Sequence, residues 1–188
     1  MQTDTLTKPE AVTNGSLRLF CLYADFAAAE RARWTTSQIT KVAGKQWSSS
    51  TEMWSLVFLA ASDSIREMVN QCAADADVLI IAVSSLDRRE PELVRWLKSL
   101  SAGKENRPVA GLLIGLFGDE EQPAGELEWM VKQFMSCAQR MERDFIWHWM
   151  GQESMGDSSW LVKHVVKLLD RKLSGSVGQP ALSSAVYP

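Results

Sequence analysis

The chain has 188 residues, 46% of them hydrophobic, and carries a formal charge of -3 with a pI near 5.5. That is enough chain to bury one core, and without a basic excess it is not expected to grip a nucleic-acid backbone. No apolar run reaches the roughly 20 residues of a membrane span, and residues 1–16 lack the apolar heart of a secretory signal, so a cytoplasmic protein without membrane contact is expected.

Residues 1–16, rich in Thr, Asn, Gly and Pro, and 174–188, rich in Ser, Gly, Ala and Pro, read as flexible tails around one domain spanning 17–173. Within it, LRLFCLY (17–23) predicts a first strand, and the Ala-, Glu- and Arg-rich stretch 26–47 contains a helix. MWSLVFLAA (53–61) predicts a second strand. The next helix starts at Ser62 or Asp63, with Ile65, Met68, Val69 and Cys72 on its apolar face. DVLIIAV (77–83) is an unbroken apolar run, the mark of a strand covered on both faces. Pro91 opens a helix whose stripe is Leu93, Val94, Trp96, Leu97 and Leu100. A strand over 108–118, a long helix over 125–143, a strand FIWHW (145–149) and a helix over 158–173 complete the domain.

Strict alternation of strands and helices, with right-handed crossovers, predicts an α/β fold of three layers. A five-stranded parallel sheet in the order 2-1-3-4-5 is doubly wound between helices, as in flavodoxins and response-regulator receivers. Ligands of such sheets bind beyond the carboxyl ends of strands 1 and 3, at the topological switch point. The loops expected there supply Asp25, then Ser84, Ser85, Asp87, Arg88 and Arg89, then Asp119 and Glu120. Asp25, Ser84, Ser85, Asp87 and Arg88 are therefore the candidate ligand-binding residues. Asp25, Asp87 and Asp119 are candidate ligands for magnesium, which favours carboxylate oxygens.

Architecture and Asp25 resemble a receiver, but the rest of a phosphoacceptor set is missing. Such a domain has two acidic residues after strand 1, an aspartate ending strand 3 and a lysine after strand 5. Here strand 3 ends in Ser84, and strand 5 carries His148 between two tryptophans. A flavodoxin wraps a phosphate with glycine and hydroxyl residues after strand 1. The corresponding ADFAAAERA (24–32) has neither, and Asp25 would repel the phosphate. With His148 on a strand and His164 on a helix, no nucleophile and base pair stands out. Cys21, Cys72 and Cys137 lack C-x-x-C spacing and read as thiols on apolar faces.

The chain also resembles a family of small uncharacterised bacterial proteins with a receiver-like or flavodoxin-like fold. The residues that carry this are Asp25-Phe26, Met53-Trp54 with Phe58, Ala76-Asp77 and the L-V-x-W-L of 93–97. The resemblance implies fold rather than activity. Eight tryptophans are many for this length, and Trp147 and Trp149 share one face of the last strand, at a sheet edge, a candidate docking surface. The expectation is a non-catalytic, receiver-like interaction or signalling module, without a cofactor beyond magnesium, that binds another protein or itself. The alternative is a small-molecule, nucleotide or anion binder at the switch point.

Overall fold

Runs of Leu, Ile and Val alternate with amphipathic segments through the computed structural model, which describes residues 15–84, 91–100, 111–118, 124–150 and 157–175. The strands are β1 (Gly15–Tyr23), β2 (Trp47–Ser55), β3 (Val78–Val83), β4 (Leu112–Phe117) and β5 (Asp144–Trp149). The helices are α1 (Phe26–Ala43), α2 (Asp63–Asp75), α3 (Pro91–Ser99), α4 (Ala124–Arg140) and α5 (Ser159–Ser174). All strands pair in parallel in the order β2-β1-β3-β4-β5, as the alternation predicts.

Every residue of β3 and β4 is buried, because helices cover both faces of the sheet. The period of two along β3 divides the core. Leu79, Ile81 and Val83 pack toward α2, α3 and α4, with Val69, Trp96 and Phe134, whereas Val78, Ile80 and Ala82 pack toward α1 and α5, with Ala28, Ile39 and Leu168.

The second strand lies earlier in the chain than its hydrophobicity predicts. WSSSTEMWS is the strand, paired from Gly15↔Trp47 to Tyr23↔Ser55, and Ser48 to Glu52 are exposed. An edge strand open to solvent needs little apolar content, so its pattern is weak. The apolar LVFLA that follows is a 3-10 turn (Leu56–Ala60) burying Leu56 and Leu59, three residues apart as three residues per turn require, and exposing Val57 and Phe58. The tails also shorten: Gly15 and Ser16 belong to β1 and Ser174 to α5, while 1–14 and 176–188 lie outside the described residues. Gly15 suits its position because a Cβ there would lie 2.8 Å from the Trp47 ring.

Buried charge fastens α5 to the amino end of the sheet. Asp77, 1% exposed, accepts from Arg18 N at 2.7 Å and from Lys172 Nζ at 2.5 Å. Asp144 accepts from Arg171 Nη2 at 2.6 Å. Two cations from the last turns of one helix thereby neutralise two buried carboxylates, which burial without partners would penalise heavily. Among the described residues, no helix is long and apolar enough to cross a membrane.

Candidate functional site

At the opposite, carboxyl end of the sheet, β1 and β3 run side by side as far as Tyr23↔Ala82, and the Ala24 N–H extends the ladder to Ala82 O at 3.0 Å. The chain then leaves β1 for α1. Asp25, in extended conformation, caps the helix by accepting from Ala28 N at 2.8 Å, as a short carboxylate at this position does best. The same oxygen, Oδ1, accepts from Ser84 Oγ at 2.6 Å. Ser84 in turn accepts from Arg31 Nη2 at 2.5 Å. The start of α1 and the end of β3 thus meet at the switch point through a carboxylate, a hydroxyl and a guanidinium.

Burial pushes the Asp25 carboxyl pKa up, but hydrogen bonds from Ser84 and Ala28 and the Arg31 charge outweigh it and hold the pKa below the ordinary 3.8. Asp25 is therefore an anion at neutral pH. Arg31 is only 7% exposed and belongs to the core face of α1 with Ala28, Ala32 and Thr35. Sequence reasoning passed over it. The available signal was an arginine at a helical core position among alanines, where small neighbours leave room for a long side chain. Gly118, one residue past β4, closes the cluster: a Cβ there would lie 2.6 Å from Ser84 O and 2.9 Å from Arg31 Nη2.

Large apolar side chains are exposed at this end of the sheet. Phe26 is 78% exposed, and Val57 and Phe58 are 72% and 47% exposed. Since Tyr23 and Ser55 are register partners, the residues that follow them emerge at the same end of the sheet. The Phe58 ring is held edge-on against Trp54, their centroids 6.0 Å apart.

Of the residues expected to bind a ligand, the structure brings Asp25 and Ser84 together, while Ser85, Asp87 and Arg88 lie outside the described residues. Ser84 does more than turn the chain, because its hydroxyl links Asp25 to Arg31. Asp119 and Glu120, like Asp87, are outside the described residues, and no three His, Cys, Asp or Glu side chains among those described gather for a metal ion. The docking surface needs correction. Trp147 is buried, edge-on to Phe117, and Trp149 packs half-buried against the same core, because their shared face of β5 is the one that α4 covers. His148 stacks on Trp160 at 4.4 Å, and burial, only partly opposed by Asp157, lowers its pKa.

No protein-family model matches the chain, and no curated protein does. Among solved structures, the apo form of an NADH:FMN oxidoreductase is 12% identical with a TM-score of 0.51, over 84% of this chain and 89% of that one. The fold is flavodoxin-like. A short-chain flavodoxin associated with a bacterial microcompartment is 13% identical with a TM-score of 0.49, over 83% of this chain and 99% of its own. The expectation of a non-catalytic, receiver-like module without a cofactor beyond magnesium is corrected here, since a solved structure of similar fold is an NADH:FMN oxidoreductase.

Proposed function

We propose that the protein binds a flavin-related ligand at the carboxyl ends of β1 and β3. The observation that carries this reading is the Asp25, Ser84 and Arg31 cluster, which brings an anion, a hydroxyl and a largely buried cation from the start of α1 and the end of β3 to one point. Open α/β sheets of this strand order bind ligands at that point. The NADH:FMN oxidoreductase, similar in fold, supports the class of ligand.

The fit is unequal across a flavin nucleotide. The exposed Phe26, Val57 and Phe58 suit an aromatic ring system, and the cluster suits its polar groups. A phosphate does not fit the start of α1, where Asp25 already accepts from Ala28 N at 2.8 Å. When bound, a flavin supplies hydride and single-electron transfer. The chain's own contribution is to hold and orient its polar edge through Asp25, Ser84 and Arg31. Cytoplasmic placement belongs to this proposal, supported by free thiols at Cys21, Cys72 and Cys137.

Titration with riboflavin and flavin mononucleotide, followed by flavin fluorescence, tests the reading. Saturable quenching by the unaltered chain that weakens in Ser84→Ala is expected. No saturable binding of either flavin would overturn it.

A further inference from the structure

We propose that the switch point selects a flavin lacking the terminal phosphate, riboflavin over flavin mononucleotide, because Asp25 already fills the anion position at the start of α1. The inference rests on the flavin reading above and deepens it by naming the form of ligand.

The first N–H groups of a helix are unpaired and its amino end is electropositive, so a phosphate is drawn there when nothing else satisfies them. In this chain the Asp25 carboxylate already occupies that position, taking the Ala28 N–H at 2.8 Å. It is fixed from the other side as well, by Ser84 Oγ at 2.6 Å, and Ser84 is itself held by Arg31. Displacing Asp25 would undo the cap and the link between β3 and α1 together. Sharing the helix start would place a dianion beside a carboxylate, and like charges close together disfavour each other.

Residues 24–32 contain neither glycine nor a hydroxyl side chain to wrap a phosphate, and Arg31, the cation among them, is already held on Ser84 at 2.5 Å. A neutral polyol chain meets the opposite situation. Its O–H groups donate, and an ionised carboxylate accepts at several lone pairs. The same residue that repels a phosphate therefore recognises the hydroxyls left when the phosphate is absent.

The test compares dissociation constants for riboflavin and flavin mononucleotide in the unaltered chain, Asp25→Ser and Asp25→Asn, with thermal unfolding as the check on folding. Riboflavin should bind at least about tenfold more tightly than flavin mononucleotide to the unaltered chain. Asp25→Ser should reverse or abolish that preference. Asp25→Asn keeps the cap's shape while removing its charge, so it carries the comparison if the serine variant does not fold. A preference of the unaltered chain for flavin mononucleotide, or an unchanged ratio in Asp25→Asn, overturns this inference and leaves the flavin reading standing. Binding of neither flavin overturns both.

Discussion

Ser84 Oγ donates to Asp25 Oδ1 across 2.6 Å, joining the end of β3 to the first turn of α1 over 59 residues of sequence. Because the same oxygen caps α1, Asp25→Ala removes a helix cap and a tertiary link at once. A lost cap alone costs about 1 kcal/mol, and the link to Ser84 adds to it, so a loss of roughly 1–2 kcal/mol in urea unfolding is expected. Ser84→Ala should cost less, and the double variant less than the sum of the two, since both remove one shared contact. Strict additivity would mean that the contact contributes nothing.

Several groups make stability depend on pH in the same direction, Asp25, His148 and His164 among them. The Asp25 pKa is held below the ordinary 3.8, and the His148 and His164 pKa values below the ordinary 6.5. For His164 the causes are burial first, then Lys163 and Lys167, against an opposing Asp144. A depressed folded-state pKa means that the unfolded chain binds more protons between the two pKa values, so stability rises with pH there. The histidine contributions are fully present above about pH 6.5 and fade as pH falls through the lowered values, and that of Asp25 fades below about pH 4. Urea midpoints measured from pH 8 to pH 3 should fall in these two stages. His148→Phe should flatten the upper one, and an unchanged upper slope would remove His148 from the account.

Trp147 sits in the core against Phe117, with ring centroids 5.9 Å apart. Trp147→Ala should therefore cost about 3–5 kcal/mol, the usual penalty for deleting a large buried aromatic. Trp149→Ala should cost less, because that ring is only partly buried. Near-neutral stability of Trp147→Ala would return the residue to a surface role.

Legibility in the sequence followed burial. β3 and β4, covered on both faces, announce themselves as unbroken apolar runs, and Pro91 marks the start of α3, so the alternation that sets the strand order is legible in the sequence. β2 could not be placed this way, since an exposed edge strand of Ser, Thr and Glu carries almost no apolar signal while the neighbouring 3-10 turn does. Asp25 and Ser84 were legible because topology alone brings the ends of β1 and β3 together. Arg31 was not, since whether a helical arginine reaches solvent or folds inward depends on the space left by its neighbours. The buried face of Trp147 and Trp149 was likewise decided by α4, which no property of five residues could reveal.

Gly118 and Gly125 should respond to alanine with opposite signs. A Cβ on Gly118 would lie 2.6 Å and 2.8 Å from Ser84 O and Cα, and 2.9 Å from Arg31 Nη2. Two of those atoms are backbone at the end of a buried strand and cannot step aside, so the ends of β3 and β4 must part and Ser84 must shift from Asp25. Overpacking of this kind costs about 1–3 kcal/mol. Gly125 lies in α4 with nothing within 4 Å of its would-be Cβ, so alanine there meets no obstacle. Replacing a helical glycine by alanine reduces the freedom of the unfolded chain and stabilises by about 0.5–1 kcal/mol. Urea unfolding of the two variants side by side should show Gly118→Ala below the unaltered chain and Gly125→Ala above it. Equal effects would contradict the close approach of β3, β4 and Arg31 on which the geometry of the site depends.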